Sequence, residues 1–190
     1  MTHAASRFLN MLGLFAVSGV LIADFAFQFT MGELPCPLCL LQRVGLIAVG
    51  FGVFLNLSCG VRPSHYGVML LGAAFGGAVA LAQIALHIVP GTGSYGSTLF
   101  GYHLYTWSFL VFSAVLILAG LMLLFDGQFD QAGATSTPRA GGLGLAACAL
   151  LMLLTLGNVV STFLQCGLAQ CPATPVEYLM LEQSQDSTSR

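Results

Sequence analysis

Residues 40–58 read LLQRVGLIAVGFGVFLNLS, an apolar stretch whose only charged residue is Arg43. At a rise of about 1.5 Å per residue, a helix of this length crosses the roughly 30 Å hydrocarbon core of a bilayer. Four more stretches have the same character, and the first of them contains a single acid, Asp24. The five predicted spans are 8–31, 40–58, 66–89, 103–125 and 141–165.

The composition of the chain also indicates an integral membrane protein. Of its 190 residues, 57% are hydrophobic and 6% are charged, whereas a soluble domain has about 25% charged residues. The net charge of −2 provides no basic surface, so we expect the lipid bilayer and not nucleic acid as the partner. We predict one all-α membrane domain over 1–190, a helical bundle of four core transmembrane helices with a fifth packed on their outside.

The placement of arginine predicts the orientation of the bundle. Arg7, Arg62 and Arg139 lie in the N-terminal tail and in the second and fourth connections, which alternation of the spans puts on one side. Because arginine is enriched in cytoplasmic connections, we expect this side to be the cytoplasm of a bacterium with the protein in its inner membrane. The first connection and the C-terminal tail, 166–190, then face the periplasm.

Four of the six cysteines fall on the predicted periplasmic side, as two pairs. Cys36 and Cys39 form a C-x-x-C motif in the first connection, and Cys166 and Cys171 follow the fifth span. A C-x-x-C pair closes a small disulfide that is easily reduced and re-formed. Cys39 directly precedes the second span, where the positive helix N-terminus favours a thiolate. The periplasm is oxidising, which suits disulfides.

Ionisable residues within the spans indicate a functional site near the C-x-x-C motif. Arg43 lies four residues after Cys39, and an arginine below the membrane surface is costly enough to suggest a function, such as stabilising a thiolate or a ligand oxygen. Asp24 lies at a comparable depth, so either an ion pair with Arg43 or local water compensates it. His87 could donate a hydrogen bond to a ligand carbonyl as a neutral imidazole, or face water at the interface.

Three ring-bearing residues, His103, Tyr105 and Trp107, open the fourth span on the same side. Aromatic side chains at this level are usually part of the interfacial belt of a membrane protein, which is what we expect here. The other possibility is a surface that meets a ligand or a partner protein.

The residues around the C-x-x-C motif carry a family resemblance. The motif CPLC at 36–39, followed by Gln42 and Arg43 at the start of an apolar span, resembles the DsbB family of bacterial disulfide-generating membrane proteins. A weaker resemblance covers 83–90. This resemblance implies a protein that reoxidises a periplasmic thioredoxin-like partner of the DsbA type. It also implies that the electrons pass to a membrane quinone, ubiquinone or menaquinone.

The family's roles are carried over to the matching positions of this chain. The resemblance implies that Cys36 and Cys39 are the first redox pair and that Cys39 engages the quinone. The best-known members have four spans and a second pair between the third and fourth. Here 90–102 contains no cysteine, and Cys166 and Cys171 follow an added fifth span. All four cysteines are predicted to be catalytic, and the predicted quinone-binding residues are Arg43, His87 and Gln42.

Other functions stay open on the sequence alone. The same cysteine pairs could run in the opposite direction, as a membrane thiol reductase. The chain could be a non-enzymatic scaffold with structural disulfides, or with one zinc ion on the four outer cysteines, although we expect no metal. It could also be a transporter with Asp24, Arg43 and His87 along its path, but three of the spans contain no charged residue, which argues against this.

Overall fold

The structure is a computed structural model that describes residues 2–89, 91, 93–129 and 142–181. Within them lie five long helices and, between the third and the fourth, a small antiparallel hairpin. In chain order the elements are α1 (His3–Thr30), α2 (Pro37–Cys59), α3 (Pro63–His87), β1 (Thr98–Leu99), β2 (Tyr102–His103), α4 (Leu104–Leu123), a 3-10 turn at Asp126–Gln128 and α5 (Gly142–Cys166).

The predicted all-α membrane bundle is confirmed over the described residues, because all five helices are long and apolar enough to cross a bilayer. Helices α2 and α3 begin before the predicted spans, at Pro37 and Pro63. Proline suits the first helical position because its φ is already helical and the N–H it lacks would have no partner there. Arg139 and the tail residues 182–190, which entered the prediction of orientation, lie outside the described residues.

Helices α2 and α3 share the most extensive contact of the bundle, and glycine makes it possible. A Cβ atom added at Gly45 would lie 2.9 Å from the Cα atom of Gly76, and one added at Gly52 would lie 2.7 Å from the carbonyl oxygen of His65. The ring of Phe112, from α4, packs directly on Gly76. Small residues therefore let these two spans approach each other closely.

Replacing Gly45 by valine is expected to destabilise the bundle by about 1–3 kcal/mol, because α2 and α3 must separate to admit the side chain. Gly19→Val is the matched control, because no atom lies within 4 Å of a Cβ added at Gly19. Thermal unfolding of the two purified variants in detergent measures the difference. Equal midpoints would contradict the close contact between α2 and α3.

Helix α5 packs against α1 and α2, and α4 packs against α3. Although α5 lies at the side of the other four helices, it supplies Ala147, Cys148 and Leu151 to the buried core. Between α1 and α4 runs an apolar groove of about 590 Å³, lined mainly by residues within 9–20 and 111–122.

The opposite end of the bundle is held by a network of buried polar side chains. Asn56, on α2, donates to Oδ1 of Asn10 on α1 at 2.9 Å and accepts from the backbone N–H of Arg62 at 3.2 Å. Asn10 also donates to the hydroxyl of Tyr66, which donates to Oε1 of Gln128 at 3.2 Å. These bonds link α1, α2, α3 and the turn after α4, where unpaired polar groups would be costly.

Candidate active site

The C-x-x-C motif lies at the start of α2, and Cys36 occupies the capping position. Because α2 begins at Pro37, Sγ of Cys36 accepts the backbone N–H of Cys39 at 3.1 Å. The sequence predicted that the helix N-terminus would favour a thiolate at Cys39. The structure directs this effect at Cys36 instead, since the helix starts before the predicted apolar span.

Both cysteines of the motif are free thiols in this structure, and the pKa of Cys36 is lowered to about 7. The main cause is a hydrogen bond from the Cys39 side chain, to which the backbone amides of Cys39 and Leu38 and the side chain of Gln83 add. Burial acts in the opposite direction. In the reduced pair, Cys36 is therefore substantially a thiolate at neutral pH.

Gln83, on α3, is a site residue that the sequence prediction missed. Its buried Nε2 lies 3.4 Å from Sγ of Cys36 and 3.7 Å from Sγ of Cys39, so that it can donate to either sulfur. Its Oε1 accepts from Nε2 of Gln42 at 2.7 Å, which orients the amide. The available signal was a polar residue inside a span without charges, four residues before His87, because such a residue needs a partner in lipid.

Replacing Gln83 by leucine is expected to raise the pH at which Cys36 becomes reactive. The hydrogen bond from Gln83 is stronger to the thiolate than to the thiol, so its loss moves the pKa of Cys36 upward from about 7, and alkylation at pH 7 slows. The rate of iodoacetamide labelling of Cys36 against pH, resolved by peptide mass spectrometry, measures the shift. Gln128→Leu, at the far end of the bundle, is the control, and a profile shared by both variants would contradict the role of Gln83.

Arg43 is buried one turn after Cys39 and is held by α1. Its Nη1 donates to Oε1 of Gln28 at 2.8 Å, and its Nη2 donates to the backbone oxygen of Asp24 at 3.2 Å. The Nε atom lies 3.8 Å from Oδ2 of Asp24, so the ion pair that the sequence left open is present. The guanidinium also lies over the ring of Phe25, 5.0 Å from its centroid. These contacts fix the direction of the guanidinium.

A cavity of about 70 Å³ lies beside the C-x-x-C motif. Cys39, Gln42 and Arg43 line it from α2. The other walls combine residues of α1, α3, α4 and both neighbouring connections, among them Asp24, Gln28, Glu33, Gln83, Tyr95, Tyr105 and Ser108. The cavity therefore joins a sulfur, a guanidinium and several hydrogen-bonding groups in one small space.

The connection between α3 and α4 forms a roof over this cavity. Ser97 donates its backbone N–H and its hydroxyl to the carboxylate of Glu33, at 3.0 and 2.7 Å. The hydroxyl of Tyr95 donates to the backbone oxygen of Leu34 at 2.6 Å. Burial raises the pKa of Tyr95 to about 12, so this donor keeps its proton at neutral pH. The roof is thus tied to the connection that carries the C-x-x-C motif.

His87 lies behind the cavity and is not one of its lining residues. Its Nδ1 is 2.8 Å from the backbone oxygen of Gln83, and its ring stacks on Tyr105 at 5.4 Å. A carbonyl oxygen can only accept, so this hydrogen bond puts the proton on Nδ1 and leaves Nε2 of a neutral ring as an acceptor. The structure therefore offers no N–H of a neutral His87 for a ligand carbonyl.

Tyr105 has a different environment from the one predicted. Its ring lies between His87 and His103, with a centroid distance of 5.1 Å to His103, and it is only 8% exposed. The expectation of an interfacial belt is therefore wrong for Tyr105, because the stack buries it against the cavity. Trp107 is close to the surface, where its Nε1 donates to the backbone oxygen of Leu99.

Cys166 and Cys171 are joined in a disulfide at the same end of the bundle. Gln165, which directly precedes Cys166, is fully buried, and its Nε2 donates to the backbone oxygen of Pro35 at 2.8 Å. Pro35 in turn directly precedes Cys36. This hydrogen bond therefore attaches the end of α5 to the connection that carries the first cysteine pair.

Gln28 links the tail to the residues around Arg43. Its Nε2 donates to the hydroxyl of Ser161 at 2.8 Å and to the hydroxyl of Tyr178 at 2.9 Å, while its Oε1 accepts from Arg43. One buried amide thus connects α1, α2, α5 and the segment after the disulfide. The sequence prediction did not include Gln28 in the site, because the partners of a lone glutamine in an apolar span depend on how the helices face each other.

The structure does not bring the four cysteines together as zinc ligands. Within the described ranges, no three His, Cys, Asp or Glu side chains are grouped in a way that could hold a metal ion. Cys166 and Cys171 are bonded to each other, and zinc is bound by free thiolates. In this state the second pair is a disulfide.

These features define a class of protein, a multi-span helical bundle with two cysteine pairs at one end and a buried arginine beside the first pair. Residues 6–94 match the family model described as disulfide bond formation protein DsbB. This segment covers α1, α2 and α3, and with them the C-x-x-C motif. Over this segment the chain is similar to the DsbB family, whereas Cys166 and Cys171 lie beyond the matched segment.

The most similar curated relatives include proteins called disulfide bond formation protein B in three bacteria. The one from Chromobacterium violaceum is 40% identical over 67 residues, which cover 33% of this chain and 40% of the relative. The one from Marinobacter nauticus is 37% identical over 89 residues, 45% of this chain and 53% of the relative. The one from Methylococcus capsulatus is 37% identical over 86 residues, 45% of this chain and 51% of the relative.

The chain thus spans about half the length of the curated relatives it matches. No solved structure matches it.

Proposed function

We propose that this protein is a dithiol oxidase of a bacterial inner membrane. It would oxidise a periplasmic thioredoxin-like dithiol protein of the DsbA type and pass the electrons through Cys36 and Cys39 to a membrane quinone. The observation that carries this proposal is the Gln165–Pro35 hydrogen bond, which joins the two cysteine pairs at one end of the bundle. The N-terminus would face the cytoplasm and the cysteine pairs the periplasm, and the printed name of the relatives agrees with such an activity.

The first half of the reaction is thiol–disulfide exchange. A thiolate of the partner attacks the Cys166–Cys171 disulfide, and the partner's second thiol then resolves the mixed disulfide. This releases oxidised partner and leaves two thiols in the tail. These thiols reduce a Cys36–Cys39 disulfide in the same manner and become a disulfide again. Two electrons and two protons thus pass from the partner to the first cysteine pair.

The groups around the cavity fit a quinone such as ubiquinone or menaquinone. Arg43 has five N–H donors, of which the bonds to Gln28 and Asp24 use two, so others remain for a carbonyl oxygen. Cys39 lines the same cavity. His87 would act indirectly, by stacking on Tyr105, whose ring lines the cavity. Gln42 lines the cavity itself and orients the side-chain amide of Gln83. When bound, the quinone would accept two electrons and two protons.

The volume of the cavity limits what it can bind without a movement of its walls. A cavity of about 70 Å³ is roughly half of the 150 Å³ that accommodates benzene in an engineered protein. Binding would therefore require the roof formed by the α3–α4 connection to move outward. The apolar groove between α1 and α4 lies further along the same two helices. It offers space for the hydrocarbon chain of a membrane quinone.

Anaerobic mixing of the purified protein with a reduced thioredoxin-like protein and a soluble quinone analogue tests the proposal. We expect the quinone absorbance to disappear as the partner becomes oxidised, one quinone for each disulfide. In the reverse experiment, with quinol and oxidised partner, we expect little reaction. Accumulation of reduced partner there would indicate a thiol reductase, and no reaction in either direction would indicate a scaffold.

A further inference from the structure

We propose that Cys171 is the sulfur that the partner's thiolate attacks and that Cys166 is the leaving sulfur, which remains beside the first cysteine pair. This assignment deepens the proposed function and rests on it. The sequence leaves the two cysteines equivalent, and the family match ends before them. The structure separates them by burial and by the elements that hold them.

The two sulfurs of the disulfide differ in access. Cys166 is 4% exposed, whereas Cys171 is partly exposed. A thiolate attacks along the S–S axis, from the side opposite the leaving sulfur, so the attacked sulfur must be open to another protein. Residues 168–170, which lead up to Cys171, are exposed, and Leu168 is 98% exposed. The partner can therefore approach Cys171 but not the buried side of Cys166.

The backbone around Cys166 is held in place from two directions. Gln165 is bonded to the backbone of Pro35, and Ser161, one turn earlier, accepts from Gln28 of α1. Cys166 is the last residue of α5, and Gly167 follows it with a φ of +62°, which turns the chain away from the helix axis. Cys166 thus stays next to the connection that carries Cys36, while Cys171 lies beyond the turn that follows α5.

One effect opposes this assignment, and its size is small. A thiolate leaving from Cys166 forms at the C-terminus of α5, where the helix dipole is negative and disfavours it. At a helix end this effect amounts to about a two- to five-fold change in rate. Blocked access to a buried sulfur is a larger obstacle, so access decides which sulfur is attacked.

In the exchange between the partner and the Cys166–Cys171 disulfide, each new sulfur–sulfur bond replaces one that breaks. The partner's thiolate forms a bond with Sγ of Cys171, the Cys166–Cys171 bond breaks, and Cys166 leaves as a thiolate that takes up a proton or attacks onward. The mixed disulfide on Cys171 is then resolved by the partner's second thiol, which releases Cys171 as the second thiolate. The partner is oxidised by two electrons and the tail pair is reduced by two.

Anaerobic treatment of the folded protein with glutathione, without quinone, tests the assignment. After a rapid quench with N-ethylmaleimide and digestion, mass spectrometry shows which cysteine carries glutathione. We expect glutathione on Cys171 and maleimide on Cys166, in about ten-fold excess over the reverse pattern. The same treatment in denaturant is the control, and there the preference should disappear. Glutathione on Cys166, or equal labelling of both in the folded protein, would overturn the assignment.

Two single variants give an independent measurement. In Cys166→Ser the remaining Cys171 thiol should react with a bulky maleimide about ten-fold faster than the remaining Cys166 thiol does in Cys171→Ser. Equal rates would contradict the assignment. Neither experiment uses quinone, so a failed quinone assay beside selective labelling of Cys171 would contradict only the proposed function.

Discussion

Quinone reduction is expected to stop when Cys39 is replaced by alanine. Cys39 is the sulfur that lines the cavity together with Arg43, and without it the first pair cannot form a disulfide. Removing a reacting group commonly lowers turnover by several orders of magnitude, so we expect a loss of at least about 1000-fold. Oxidation of a reduced thioredoxin-like protein, followed by quinone absorbance under anaerobic conditions, measures it.

Cys59→Ala is the matched control for this variant. Cys59 is a free, exposed cysteine at the far end of α2, so its replacement should leave turnover unchanged. A single exchange with the tail pair should also persist in Cys39→Ala, because Cys166 and Cys171 are intact. Full multiple-turnover quinone reduction by the Cys39 variant would contradict the proposed route of the electrons.

Replacing Arg43 by methionine is expected to weaken the use of quinone by about 10- to 100-fold in kcat/KM. A hydrogen bond to a charged group contributes about 1.5–3 kcal/mol, which corresponds to this range. Arg43→Lys should restore only part of the loss, because an ammonium cannot reproduce the planar set of donors. The quinone concentration dependence of turnover measures the effect. Arg62→Met, outside the helices at the other end of the bundle, is the control.

A double variant separates the role of Arg43 in quinone binding from its role as the ion-pair partner of Asp24. Arg43→Met also leaves the partly buried Asp24 without its ion-pair partner, 3.8 Å away in the native structure, which destabilises the bundle. In Asp24→Asn with Arg43→Met, that unpaired charge is gone, so we expect thermal stability to recover while quinone use stays weak. Recovery of quinone use as well would show that Arg43 only balances Asp24.

The helices were predictable from the sequence, and their exact contacts were not. Hydropathy over about 20 residues is a local property, so each span could be located within a few residues. The start of α2 was predicted at residue 40, whereas Pro37 begins it. That shift of less than one turn moves the capping position to Cys36, so the reactivity predicted for Cys39 falls on a different sulfur.

The sequence pointed to the charged and sulfur-bearing residues around the cavity and to Gln42, but not to the amides of Gln28 and Gln83. Cys39 and Arg43 stand out because a C-x-x-C motif and a charge are rare in an apolar sequence. Gln28 and Gln83 are neutral, and their partners lie on other helices, at Tyr178 and Cys36 among others. Which of these groups meet depends on the rotation of each helix about its axis, which hydropathy does not determine.

The amino-acid sequence by itself determined that this chain is a bundle of membrane-spanning helices with a C-x-x-C motif and an arginine at one end. These features follow from the apolar length and the chemistry of single residues. The tertiary structure decided that Gln83 serves the sulfurs of the motif, that Tyr105 is buried, and that Gln165 attaches the second cysteine pair beside Pro35. Such contacts join residues far apart in the chain, and only the packing of the helices brings them within hydrogen-bonding distance.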